Sequence, residues 1–312
     1  MRQTLEQPAS GESPASLYDD VTARIIRELE QGTLPWVKPW KDACAPLGLP
    51  RNATTQRAYT GVNVLVLWDT VMRRGFARQE WLTYRQAQNL GGHVRKGEHG
   101  TVIFHADTFI PKAERERAAE CGEDPSAVPF LKRFVVFNVE QTEGLPAHIA
   151  AASQPSADTA AGDGWPEVDA LITVTGITIR EGGNDAYYHP REDFIRMPPR
   201  AAFVSEADRL CTLLHEVSHA TAHKSRLNRD LAPRFGSSAY GREELIAELA
   251  SAFLCARFGI EPQVRHADYL ASWLTILKAD SRAIFHAASQ ASKAADYILA
   301  CGEPAATAEA VS

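Results

Sequence analysis

No stretch of the 312 residues is apolar enough to approach a membrane span, so an integral helical membrane protein is excluded. The opening residues, MRQTLEQPASGESPAS, lack the apolar core of a secretory signal. Residues 1–16 are expected to be disordered. Cysteine is sparse: Cys44, Cys121, Cys211, Cys255 and Cys301 are odd in number and show no CxxC spacing. A disulfide framework is therefore not expected, and reduced thiols in a cytoplasmic protein are, several of them as small core residues. Internal repeats are missing too. An overall excess of positive charge is lacking, because the net charge is −6, which on average disfavours a polyanion as partner.

Against these absences stands one short motif, HEVSH, from His215 to His219. Residues i and i+4 share a helix face, so two imidazoles can bind one metal ion and leave positions open on it. Glu216 then stands where a general base for a water molecule is needed. Leu210, Leu213, Leu214, Val217 and Ala220 recur at helical spacing, and Ser205 is a suitable N-cap. The spacing predicts a helix over 206–223 with the histidines beside its buried stripe.

A third ligand is needed. Ala222 and Ser225 occupy the positions where a metzincin carries Gly and His, and His223 lies another turn along, so a later glutamate is expected, as in gluzincins. The segment REELIAELASAFL begins at Arg242, and its apolar residues cover most of a helix. Glu244 and Glu248, one turn apart, share the remaining polar stripe. Buried carboxylates need partners, and a metal with its histidines would supply one. Glu244 is assigned as the third ligand and Glu248 as acceptor from a ligand imidazole N–H, the reverse assignment staying open. Zinc is the expected ion, manganese the alternative.

Charge is unevenly spread. Between Thr33 and Lys112, eleven basic residues face five acidic ones, a local net of about +6. Trp36, Trp40, Tyr59, Trp68, Trp81 and Tyr84 are interleaved with them. Cations that follow phosphates and rings that stack on bases suit single-stranded DNA. Trp36, Lys38, Trp40, Arg57, Arg85, Arg95 and Lys96 are the candidate contacts, with Trp36 and Trp40 equally readable as core. Trp68 and Trp81 are expected inside.

Along the chain, 19–31 reads as a helix and 59–70 as strand or helix. A short helix is expected over 79–89, strands over 101–105 and 134–139, the latter buried, and a surface helix or insertion over 111–129. Residues 171–180 alternate as a strand, and two helices close the chain near 267–278 and 281–300. An Ala/Ser/Gly/Asp-rich stretch at 150–164 reads as a linker between domains at 17–149 and 165–312. The expected class is α+β: an N-terminal α/β single-strand-binding domain, then a zincin-like metal domain.

The segments IIRELEQGTLPWVKPW, YTGVNVLVLW, WLTYRQAQNLGGHVRKGEHGT and FVVFNVEQTEGLP resemble the N-terminal domain of ArdC-type antirestriction proteins, shared with TraC-like plasmid primases. YYHPREDFIRMPP, TLLHEVSHATAHKSRLNRDL, GREELIAELASAFLCARFGI and YLASWLTILKAD are similar to the zincin-like domain of the same family. Thr221-Ala222 departs from the expected aromatic and Gly. The resemblance implies a mobile-element protein that binds single-stranded DNA nonspecifically, shields it from restriction, and carries a protease-like metal domain whose substrate stays open, a protein substrate being one candidate. A DNA-binding protector with a structural metal, or a metalloprotease tethered to DNA without antirestriction activity, are the alternatives.

Overall fold

The computed structural model describes residues 14–37, 45–151, 165–231, 237–262 and 269–302. Helix α1 (Pro14–Glu30) opens it, starting before Asp19. Then come β1 (Arg51–Asn52), α2 (Val62–Arg74), β2 (Glu80–Thr83), α3 (Tyr84–Asn89), β3 (His93–Val94) and β4 (Thr101–Phe109). The surface helix α4 (Lys112–Cys121) follows, then β5 (Val128–Asn138), β6 (Thr142–Glu143) and α5 (Ala147–Ala150). The later part consists of α6 (Pro166–Val174), β7 (Thr178–Glu181), β8 (Tyr187–His189), β9 (Phe194–Met197) and four helices. These are α7 (Glu206–Ala220), α8 (Ser238–Phe258), α9 (Leu270–Ala279) and α10 (Ala283–Cys301).

The first sheet has the order β1-β2-β5-β4, with β1 parallel to β2 and the rest antiparallel. Helix α2 closes one face through Leu67 and Val71, which meet Trp81, Ile103 and Val136. It also covers the open edge of β4. Asn63 Nδ2 donates to the Phe104 carbonyl at 2.7 Å and its Oδ1 accepts from the Phe104 amide at 2.8 Å, satisfying groups that would otherwise invite another strand. A second sheet, β7-β9-β8, lies beside α7.

Four expected elements differ. Residues 79–89 are not one helix, because Glu80–Thr83 is a central strand. Thr83 then forms a capping box with Gln86, which starts α3 at Tyr84. Residues 171–180 are not one strand. Pro166, Glu167 and Asp169 suit a helix start, Val168, Leu171 and Ile172 face the core at helical spacing, and Gly176 at φ 69° ends the turn before β7. Residues 134–138 end β5 and Val139 starts the turn after it; the stretch is not buried throughout, since Phe134 and Val135 are exposed. Helix α7 stops at Ala220, so His223 does not continue its histidine stripe.

One apolar cluster joins the two halves of the chain. Val21, Ile25 and Leu29 of α1 and Val64, Leu65 and Trp68 of α2 share it with α7, α8, α9 and α10. Trp68 meets Phe253 of α8 edge-on, ring centroids 5.8 Å apart, and Trp36 meets Trp273 of α9 likewise at 5.8 Å. Gly61 N donates to Ser292 Oγ at 2.8 Å and Thr22 Oγ1 to the Ser281 carbonyl at 2.6 Å. Cys211 and Cys255 are buried thiols in this core, as expected, with sulfurs 3.5 Å apart. Among the described residues no helix is long and apolar enough to cross a membrane. The stretch expected to be a linker lies almost wholly outside them.

Candidate metal centre

Ser205 caps α7 by accepting from the Asp208 amide at 3.1 Å, and the uninterrupted helix carries His215 and His219 on one face. Their Nε2 atoms stand 3.1 Å apart. Helix α8, capped by Ser237, is buried nearly all round and packs against α7. It brings Glu244 Oε2 to 3.5 Å from His215 Nε2 and Glu244 Oε1 to 3.6 Å from His219 Nε2. One donor atom from each of the three residues lies within 4.8 Å of the others.

This donor set fits a divalent ion. Two imidazole nitrogens bound tetrahedrally at the usual zinc distance would lie roughly 3.3 Å apart, close to the spacing here. Two Nε2 atoms this close in a buried place are served better by one electrophile between them than by each other. The charge balance agrees. Burial by itself would lower the histidine pKa values. Carboxylates outweigh it: Glu244 and Glu248 raise His215 to about 9, and Glu243 and Glu244 raise His219 to about 10. Glu244 is buried, which would raise its pKa, but the two imidazoles pull it far below the usual carboxylate range.

Behind the donors lies a second layer of carboxylates. His215 Nδ1 is 3.5 Å from Glu248 Oε2, the position expected for an acceptor. His219 Nδ1 is 3.4 Å from Glu243 Oε1, a partner that the sequence reading missed. Glu243 is held by Arg229, whose Nη2 and Nε reach its oxygens at 2.7 and 3.1 Å. Arg229 also donates to Thr221 Oγ1 at 2.7 Å and to the Ser218 carbonyl at 3.0 Å, locking the end of α7. Thr221, unusual beside the second histidine, is therefore part of the support. The signal was available: the doubled acid Glu243-Glu244 gives His219 its own acceptor when each imidazole needs one.

The donors open onto a cleft of about 480 Å³, which Glu216 also lines. Tyr187, Tyr188 and Arg191 form one wall, and Tyr240 and Tyr269 another. Tyr188 is engaged elsewhere, its hydroxyl donating to Asp193 Oδ1 at 2.8 Å while Arg226 pairs with the same carboxylate. Tyr240 and Tyr269 hydroxyls are 3.3 Å apart. Burial first, then Tyr269 and Glu244, push the Tyr240 pKa up, so it stays protonated and able to donate. His223 points away, Nδ1 2.7 Å from Ser225 Oγ and 3.7 Å from Asp193.

The profile of a zincin-like metallopeptidase matches residues 166–290, and that of the N-terminal domain of anti-restriction factor ArdC matches 15–137. The crystal structure of the antirestriction ArdC protein from plasmid R388, metal-free, is 41% identical with a TM-score of 0.75, covering 91% of this chain and 97% of that one. Its Mn(II)-bound form is 40% identical with a TM-score of 0.74 and the same coverage. The chain belongs to the ArdC antirestriction family. An uncharacterized protein, y4eC, of Sinorhizobium fredii is 38% identical over 92% of each chain. A DNA primase TraC of Escherichia coli is 37% identical over 91% of this chain, which spans only 27% of that protein.

Within the ArdC N-terminal region the candidate DNA contacts separate. Arg57, Arg85 and Lys96 are exposed and make no ion pair with another described residue. Arg95 is tied to Glu98, Nη2 to Oε1 at 2.8 Å. Arg95, Gln141 and Arg74 hold the Glu98 carboxyl down at about 2. Trp36 is a correction: it is 0% exposed against Trp273 and has no face for a base. The ring is drawn into the shared core because burying an indole outweighs displaying it. Lys38 and Trp40 lie outside the described residues.

Proposed function

We propose that this ArdC-family chain protects incoming mobile-element DNA from restriction by binding it as a single strand through its N-terminal part and acting on a polypeptide in the cleft of its C-terminal part. The observation that carries the reading is the convergence of His215, His219 and Glu244 donor atoms within 4.8 Å, beside Glu216 and open to the cleft. These three residues would hold the ion, zinc or manganese. When bound, the ion supplies Lewis acidity toward a carbonyl and makes water more acidic. Glu216 takes the proton from the attacking water and returns it to the departing amine. Glu248 and Glu243 keep the two imidazoles oriented with Nε2 toward the cleft. Tyr240, kept protonated, donates to the oxygen that gains charge. The ArdC and TraC likenesses support DNA as the partner, and the exposed cations of the first half support a nonspecific, salt-sensitive contact. The cytoplasm, where incoming DNA meets restriction enzymes, is the proposed place of action.

Glu216→Gln tests the reading, because it removes the base and keeps the shape. The variant should take up metal and bind DNA like the wild type yet lose protection against restriction in a transfer assay. Undiminished protection would instead favour a structural ion. That second reading has one observation behind it: α8, which carries Glu244, also carries Phe253 against Trp68 of the DNA-binding half. An ion there could serve mainly to brace that half.

A further inference from the structure

The outer face of the first sheet is covered at both ends and open between. At one end Leu82 is buried under Ala87, Val139 and Ile149, and at the other Phe104 packs edge-on against Phe285 of α10 at 5.5 Å. Leu82 pairs with Phe137 and Val102 with Val135, so these side chains share that face. The gap holds Tyr84, 51% exposed, and Val135, 48% exposed, with Phe137 half-buried between them. Gly100 immediately precedes the Thr101–Val136 pair. A Cβ there would stand 2.3 Å from Val135 Cγ1 and 3.0 Å from Phe137 Cζ, so Val135 and Phe137 lie close over a backbone position, just before β4, that has no side chain. Tyr84 meets Phe137 edge-on at 6.4 Å.

Large apolar groups on an open sheet face are a liability unless something covers them. Charge says what covers these. Arg85, next to Tyr84, is exposed without an ion pair to another described residue, and Arg133, on the Val135 side of β5, is exposed as well. Rings with cations beside them match bases with phosphates beside them.

We propose that the Tyr84–Phe137–Val135 face, flanked by Arg85 and Arg133, is the surface on which single-stranded DNA stacks. This rests on the DNA-binding reading above and gives it a location. Phe137, lying over Gly100, offers a platform for one base, and Tyr84 borders it. Duplex DNA fits poorly, because its bases are already stacked on one another and only its phosphates reach the arginines.

The test uses the full chain and fluorescence anisotropy with a labelled dT oligonucleotide, together with melting curves. Tyr84→Ala and Phe137→Leu should each weaken strand binding by about 5- to 150-fold, the range of one lost stacking contact. Tyr84→Phe should restore it. Arg85→Ala should lessen the slope of log affinity against log salt by about 0.7. Arg180→Ala, in the other half, should bind as the wild type does. Wild-type protein that fails to bind the strand would overturn the DNA-binding reading and this face with it. Wild-type binding, with Tyr84→Ala folded and binding equally well, would overturn the face and leave that reading standing. Equal losses for duplex and strand would overturn stacking. Should Phe137→Leu melt early, the Tyr84 pair decides alone.

Discussion

The metal cleft and the first sheet's open face handle charge in opposite ways. In the cleft, His215, His219, Glu243, Glu244, Glu248 and Arg229 are nearly all buried, and each has partners of opposite sign at defined distances. On the sheet, Arg85 stands exposed beside exposed rings, with no ion pair to another described residue. A buried charge is tolerated only with its partners in place, so the cleft is a small fixed constellation in which each residue constrains the next. An exposed cation needs no partner and its neighbours barely constrain it. The first kind of site suits one ion, and the second suits a repetitive polyanion.

The two regions nevertheless share a core, and breaking that core should give the largest effect. Trp36→Ala removes a fully buried indole from the junction with α9. It should lower stability by about 3–5 kcal/mol, and metal binding and DNA binding should be lost together on heating, in one transition. Two separated transitions in a calorimetric scan would show independent halves. A smaller effect sharpens the cleft side. Glu243→Gln removes the acceptor from His219 and should reduce metal affinity by about 10- to 100-fold with DNA affinity unchanged.

A further effect is a pH dependence that is strongest in the metal-free protein. Its His215 and His219 pKa values are raised, to about 9 and about 10, above the ordinary 6.5. Groups raised on folding stabilise fully below their unfolded pKa, and that contribution is lost as pH rises through the folded one. Melting temperature of the metal-free form should therefore fall between pH 7 and 10. The metal-loaded form, whose imidazoles carry no proton on the donor atoms, should fall less over that range, and metal uptake at neutral pH should release protons. A metal-free form whose stability rises over that interval would contradict the pairing.

What the sequence made legible follows the same contrast. HEVSH with a later glutamate on a buried helix was readable, because spacing and burial leave few places for such charges, and the structure brings His215, His219 and Glu244 together. Arg229 and Glu243 escaped notice because their pairing crosses from the loop after α7 to α8, a tertiary contact that no periodicity encodes. Trp36 stayed between two readings since a proline-bounded tryptophan looks the same in a loop that is displayed and in one that is swallowed. The strand in 80–83 and the helix in 166–174 were missed where capping residues, Thr83 with Gln86 and Pro166 with Glu167, carried more information than hydrophobic alternation.

Metal titration of the wild type beside Glu244→Gln and Glu248→Gln, followed by calorimetry with Mn²⁺ and with Zn²⁺, tests the central claim most directly. The wild type should bind one ion per chain, Glu244→Gln should lose nearly all affinity, and Glu248→Gln should keep the ion with affinity reduced about 10- to 100-fold. Full binding by Glu244→Gln together with loss in Glu248→Gln would contradict it and exchange the two roles.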